Sequence, residues 1–268
     1  VAQAKLSDLD VVMDSAGLEP LQSVQPPSVD LPAGYRYGVT RGADLFVRHV
    51  YPECFSEIAD ALSAHWFSVA DMVAAGGSRS NLAKGWDERL RAMGWVKRNV
   101  TVARLVDNKY VSSARSHEID MFKGQHSDNP YPGIAVEMEW NNKDPFFDRD
   151  LAAFEMLHTQ GIIGAGIIIT RGPELQRLIK SVIPGTKKKA GDYNLKYGES
   201  TTHWRKLQER VERGGGGSCP LLLIGIEPDR FDDAQRIRDA YSEYASAASK
   251  GKGAIRRFHA KILREGKL

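Results

Sequence analysis

The sequence predicts an α/β fold in which a mixed central β-sheet is flanked by helices, and three stretches predict it. Residues 133–140 alternate as a strand does, with Val136, Met138 and Trp140 on one face and Ala135, Glu137 and Glu139 on the other. Residues 147–160 then carry Leu151, Phe154 and Leu157, with Met156, at helical spacing. Residues 162–170 are a nearly unbroken apolar run, as a buried parallel strand requires. Strand, crossover helix and buried strand make a βαβ unit.

The other elements follow in chain order. Residues 1–45 are expected to form an N-terminal arm, in which a short amphipathic segment (Leu6, Leu9, Val11, Val12) leads into a stretch punctuated by Pro20, Pro26, Pro27, Pro32 and Gly34. Residues 46–268 are expected to form a single domain. Phe46, Val50, Ile58, Leu62 and Trp66 recur at helical spacing with a break near Pro52, predicting one or two helices. A loop with Gly76, Gly77, Ser78 and Arg79 precedes a helix capped by Ser80 or Asn81, which points Trp86, Leu90 and Met93 inward and stops at Gly94. Residues 95–110 alternate imperfectly around an Asp107-Asn108-Lys109 turn, as the strands of a hairpin do.

A further alternating run, residues 116–122, is joined to the acidic strand by the turn-rich residues 123–132. Paired antiparallel, the two runs set Asp120 beside Glu137 and Glu139. Three carboxylates from neighbouring strands suit a hard divalent cation such as Mg²⁺, which takes carboxylate and water ligands and lends its charge to a phosphate. Beyond the buried strand, residues 174–182 predict a helix with Leu175, Leu178 and Ile179 on one side, ended by Pro184 and Gly185. Residues 185–200 are expected to be a basic loop, after which Ser200 or Thr201 caps a helix running to about Arg213. Gly214 to Gly217 turn the chain into an apolar strand at residues 219–226, and a helix from Arg230 to about Lys250 precedes a basic C-terminal helix or tail.

The order of these parts resembles the PD-(D/E)xK nuclease core. The run His117-Glu118-Ile119-Asp120, followed by Glu137-Met138-Glu139-Trp140-Asn141-Asn142-Lys143-Asp144-Pro145-Phe146-Phe147-Asp148-Arg149-Asp150-Leu151, is similar to the BglII/BstYI group of type II restriction endonucleases, in the BamHI-like branch of that superfamily. The likeness continues through residues 196–203 and 214–226 and covers roughly residues 50–227. It implies a restriction-endonuclease-like core and a single catalytic and DNA-binding domain over residues 46–268. The implied activity is that of a type II site-specific deoxyribonuclease, cleaving double-stranded DNA with Mg²⁺ at a palindrome of about six base pairs with a GATC-like centre and a 5′ overhang. One active site per strand of a palindrome calls for a homodimer, and a cognate methyltransferase is expected in the host.

Asp120, Glu137 and Glu139 are the expected catalytic residues, with Asp120, Glu137 and the main-chain carbonyl of Met138 as metal ligands. Glu139 departs from the commonest form of the motif, which has lysine; the BamHI-like branch resembles this chain in having glutamate there. Its role as general base or second ligand stays open. Lys143 is the fallback catalytic lysine if the strand extends that far. Glu118 shares a face with Asp120, which leaves the ligand assignment within that pair open, and His117 is read as an orienting or core histidine ahead of a base. DNA contacts are expected from Arg79, Ser80 and Asn81 in a loop whose N–H groups can approach phosphates, from Asn141 and Asn142, and from Ser200, Thr201, Thr202 and His203 ahead of a helix. Asp148, Arg149 and Asp150 are read as a capping and salt-bridge set.

Composition sets the bounds. A net charge of +3 excludes a general polycation, but Lys187 to Lys189 and the tail bearing Lys252, Arg256, Arg257 and Lys261 concentrate positive charge where a phosphate backbone could pass. Apolar content of 42% and charged content of 26% are those of a soluble globular protein, no run is long enough to span a bilayer, and the polar N-terminus does not open a secretory signal, so a cytoplasmic location is expected. Cys54 and Cys219 form no Cys-x-x-Cys pair and are expected to be buried free thiols. Two rival readings are a DNA repair or processing nuclease of the same fold, which would smear a long duplex, and a catalytically idle DNA-binding module, against which the intact acids argue.

Overall fold

Six strands in one mixed sheet position the acidic residues. In chain order they are β1 (Tyr35–Thr40), β2 (Val96–Val106), β3 (Lys109–Gly124), β4 (Gly133–Met138), β5 (Ile163–Arg171) and, after a small separate hairpin of β6 (Pro184–Lys187) and β7 (Tyr193–Leu195), β8 (Leu221–Ile226). Across the sheet the order is β1-β8-β5-β4-β3-β2. The central pairs β4/β5 and β5/β8 are parallel; β1/β8, β3/β4 and β2/β3 are antiparallel. The computed structural model describes residues 23–74, 79–126, 128–188 and 192–268. The amphipathic segment of the arm, the loop at Gly76, Gly77 and Ser78, Lys189, and the side chain of His117 lie outside the described residues.

Around the sheet lie α1 (Ala43–Val50), α2 (Pro52–Ala64), α3 (Val69–Val73), α4 (Asn81–Ala92), α5 (Phe146–Thr159), α6 (Pro173–Ile179), α7 (Trp204–Glu212), α8 (Ala234–Ser249) and α9 (Lys252–Glu265). Every residue of β4 and β5 is buried, because helices cover both faces of the parallel centre. Alternation then sorts their side chains between two cores. Ile134, Val136, Met138 and Trp140 pack with Val47, Ile58, Leu62, Trp86 and Leu90, from α1, α2 and α4. Ala135 faces the other way, among Phe147, Leu151, Phe154 and Leu157 of α5 and Leu207 and Val211 of α7. Each Val, Leu, Ile, Phe or Met among them contributes about 1.5–3 kcal/mol on full burial. The approach of α5 is close enough that a Cβ on Gly166 of β5 would collide with the Phe154 ring.

The βαβ unit, the hairpins and the flanking helices follow the sequence. At the β2–β3 turn Asp107 and Asn108 both have left-handed φ, 50° and 61°, the pattern of the tight primed turns that suit hairpins. Ser80 caps α4, its hydroxyl accepting from Ala83 N at 3.3 Å. Gly214, Gly216 and Gly217 have φ of 97°, 84° and 51°, so the glycine run is a folded turn whose conformation few other residues adopt. Both cysteines are free and buried. No described helix is long and apolar enough to cross a membrane.

Four expectations change. The stretch assigned to the arm contributes β1, whose register runs from Tyr35↔Ile226 to Thr40↔Leu221, because Val39 and Thr40 are buried at the sheet edge. The stretch expected to be a basic loop contains the β6–β7 hairpin. Neither Ser200 nor Thr201 caps α7, which starts at Trp204 after His203 without a side-chain cap. The helix expected from Arg230 starts at Ala234 instead, after a 3₁₀ turn at Pro228–Arg230, with Asp233 accepting from Arg236 N at 3.0 Å as its cap.

Candidate active site

The acids sit where β3, β4 and α5 meet. The pairs Met121↔Val136 and Phe122↔Ala135 fix the β3/β4 register, and one step further Asp120 N donates to Glu137 Oε1 at 3.2 Å. On β4's other edge Glu137 pairs in register with Ile168, and Glu139 N continues that ladder by donating to Ile169 O at 2.9 Å. Alternation puts Glu137 and Glu139 on the face that α5 covers, and α5 brings Asp150 to them. Glu137 is 1% exposed, Glu139 3% and Asp150 0%.

Burial and mutual repulsion load these groups. Glu137 is held well above the usual carboxylate range by desolvation first, then by the charges of Asp120 and Asp150. Glu139 is raised to about 8 by desolvation and by Asp150, against the opposing pull of Asn142 and Arg149. Asn142 Nδ2 donates to Glu139 Oε2 at 2.5 Å, and Arg149 Nη2 donates to Glu139 Oε1 at 3.3 Å and to Asp150 Oδ1 at 2.8 Å. Asp120, whose side chain is 21% exposed, takes Arg79 Nη1 at 2.8 Å, and Arg79 is itself tied to buried Asp87 through Nε and Nη2.

The expectation that Asp120, Glu137 and Glu139 converge on one ion is corrected in its geometry. Among the described residues no group of three or more Asp, Glu, His or Cys side chains could hold a metal ion as they stand. The acids instead interact in sequence, Asp120 with Glu137 and Glu139 with Asp150, while Asp150 also acts on Glu137. The donor chemistry still fits Mg²⁺: desolvated oxygens that repel each other are relieved by a hard cation, and Mg²⁺ uses one or two protein carboxylates plus water and substrate phosphate.

A family model for the restriction endonucleases BglII/BglIII matches residues 35–226 of this 268-residue chain, more than half of it. The chain belongs to that family. It is therefore a type II restriction endonuclease, a site-specific deoxyribonuclease with DNA as its partner. No curated protein matches it.

In this endonuclease the predicted DNA-contacting residues fall into two groups. Arg79, Ser80 and Asn81 at the start of α4 meet Asn141 and Asn142, just past β4, in one cleft of about 450 Å³, which Met138 and Lys196 also line. The stretch from Ser200 to His203 does not open into it. Thr202 is 0% exposed and His203 3%, while Thr201 Oγ1 accepts from Arg171 Nη2 at 2.6 Å and donates to Gly198 O at 2.7 Å. Thr202 N donates to Asn142 O at 2.9 Å and Asp144 N to Ser200 O at 3.1 Å, so this stretch braces the loop that follows the acidic strand. Burial and the nearby Arg171 charge lower His203 to about 4, leaving it neutral at physiological pH. Ser200 is exposed.

Lys143 is also exposed, but β4 ends at Met138 and Lys143 lies in the loop beyond, bridged to Thr201, so the strand does not carry it onto the acidic face. Glu118 bonds outward, accepting from Asn99 Nδ2 at 2.9 Å and pairing with Lys97, which separates it from the Asp120–Glu137 pair.

Two residues escaped the sequence reading as members of the site. Asp150 had a legible signal: three residues after Phe147 and one before Leu151, it puts a charge on the apolar stripe of α5. Arg171 had none. It closes β5, is 0% exposed, and donates to Trp140 O, to Asn141 Oδ1 at 3.1 Å and to Gln176 Oε1 at 2.9 Å. Desolvation lowers it to about 9. It pins the loop that leaves the acidic strand.

Proposed function

We propose that this endonuclease cuts both strands of a short DNA palindrome by Mg²⁺-dependent phosphodiester hydrolysis, with Asp120 and Glu137 holding the ion. The observation that carries the reading is the hydrogen-bonded, mutually repelling Asp120–Glu137 pair, linked through Arg79 to a polar cleft. The main-chain carbonyl of Met138, a residue that also lines the cleft, would be the further protein ligand, beside water and DNA phosphate oxygens. When bound, the ion neutralises charge on the phosphate and lowers the pKa of a water. Glu139, next on the same face, acts as general base or second ligand; with its proton affinity raised to about 8, it is suited to taking a proton from water.

Asn141, Asn142, Arg79 and Asn81 meet the DNA from the cleft side, with Ser80 divided between that role and its cap and Ser200 exposed nearby; Thr201, Thr202 and His203 position the loop. A palindrome is read by two copies related by a dyad, so the working form is a homodimer. The likeness to the BglII/BstYI group favours a GATC-like centre, with a methyltransferase of the same specificity protecting the host DNA in the cytoplasm.

The test is digestion of a mapped plasmid with Mg²⁺, followed by sequencing of the ends, for the wild type, Asp120→Ala and Glu137→Ala. The wild type gives discrete bands, and both variants lose cleavage yet shift the same duplex in a gel. Unchanged cutting by either variant refutes the site, and smears in place of bands would favour the processing nuclease.

A further inference from the structure

An incoming phosphodiester faces a repulsive site. β4 and the residue just past it bring Glu137 and Glu139 and no basic side chain, and Asp120 and Asp150 add two more acids. One guanidinium answers that charge on the α5 side. Arg149 Nε and Nη2 donate to Asp150 Oδ1 at 2.9 and 2.8 Å, and Nη2 also reaches Glu139 Oε1 at 3.3 Å. The guanidinium carbon lies 4.4 Å from the centre of the Phe146 ring, which fixes its plane.

Exposure decides what the group can do. Glu139 and Asp150 are 3% and 0% exposed, whereas the Arg149 side chain is 45% exposed. The acids are covered, and the cation that covers them is what meets solvent. Its Nη1 takes no part in the bonds to either acid. A guanidinium gripped along one edge by carboxylates keeps a second edge of N–H donors, which is the planar geometry that recognises phosphate oxygens. The neighbouring cations are differently committed: Arg79 spends Nε, Nη1 and Nη2 on Asp87 and Asp120, and Arg171 is buried.

We propose that Arg149 is a catalytic residue whose outward Nη1 edge binds the scissile phosphate, drawing it to the acids and offsetting the charge that builds on its oxygens in the transition state. The inference rests on the reading of Asp120, Glu137 and Glu139 as the cleavage site. Asp150 is then a positioning residue, since it aims the guanidinium.

The experiment compares wild type, Arg149→Met and Arg149→Lys on the mapped site, using duplexes with either the natural phosphate or an uncharged methylphosphonate at the cut position. Affinity is read with Ca²⁺ in place of Mg²⁺, and single-turnover cleavage of the natural duplex with Mg²⁺. The wild type should lose roughly tenfold in affinity when the phosphate is neutralised, a charge-assisted hydrogen bond's share. Arg149→Met should discriminate between the two duplexes less than the wild type, keeping only the ion's share, and cleave roughly a hundredfold more slowly, with Arg149→Lys between the two. Were Arg149 only a counter-ion for its acids, Arg149→Met would lose melting temperature but keep the wild-type discrimination between duplexes, and that result overturns the proposal. Equal wild-type affinity for both duplexes overturns it as well. Unchanged cleavage by Glu137→Ala would remove the underlying site instead, whatever the Arg149 data.

Discussion

Glu139→Gln should stabilise the metal-free protein, and only at high pH. In the folded chain this carboxyl binds its proton up to about pH 8, against an ordinary value of 4.5. Between those values the folded state keeps a proton that the unfolded state releases. Stability from this group is therefore fully present below pH 4.5, falls as pH rises across the window, and is gone above about pH 8. At about 1.4 kcal/mol per pKa unit the ceiling is about 5 kcal/mol. Glu139 shares its repulsion with Asp150, so the pair titrates jointly and roughly half of that, about 2 kcal/mol, is the expected share. Glutamine preserves the shape, and its carbonyl oxygen still accepts from Asn142 or Arg149.

The assay is thermal and urea denaturation in chelator, wild type against variant, at about pH 5 and about pH 9. At the lower pH both proteins present a neutral group and agree within about 0.5 kcal/mol. At the higher pH the variant should melt about 4–8 °C above wild type. Glu137 titrates in the same direction in both proteins and cancels in the comparison. A variant less stable than wild type at the higher pH, or a difference that ignores pH, would refute the claim that a buried, repelled carboxylate stands at this position.

Two further outcomes follow from the loop beyond the strand. Arg171→Met removes the donors that hold Trp140 O, Asn141 and Thr201, and should cost about 2–4 kcal/mol in urea denaturation; a loss under about 0.5 kcal/mol would contradict its role as the pin. Ser200→Ala should weaken binding to the recognised duplex by about 1 kcal/mol and leave binding to a scrambled duplex unchanged, by anisotropy titration; equal weakening on both would make Ser200 a backbone contact without sequence information.

The parts legible in the sequence were those written in periodicity. Alternation along residues 133–140 placed Glu137 and Glu139 on one face, and the register that sets Asp120 beside Glu137 followed from the turn-rich connection. What periodicity leaves out is which helix covers a face and how deeply. Thr202 and His203 read as polar residues ahead of a helix and free to meet DNA, yet tertiary packing buries both, next to Thr201, which Arg171 holds. Arg171 itself terminates an apolar strand, where a basic residue ordinarily marks the return to solvent; its burial depends on carbonyl and hydroxyl acceptors contributed from 30 residues away along the chain, which no local pattern encodes.

The guanidinium groups hold Asp120 and Glu139 against different helices. Arg79 ties Asp120 of β3 to Asp87 of α4, and Arg149 ties Asp150 of α5 to Glu139 just past β4. Bringing Asp120, Glu137 and Glu139 onto a shared ion means weakening at least one of those bridges, which costs the charge-assisted bonds that a guanidinium makes to a buried carboxylate. A phosphate offsets that cost, because it gives the released guanidinium edge an equivalent anionic acceptor while adding an oxygen ligand for the cation. If Asp120 and Glu137 hold the ion as proposed, Mg²⁺ should bind the DNA-free chain weakly and the complex tightly, and by linkage DNA should bind more tightly once the divalent ion is present.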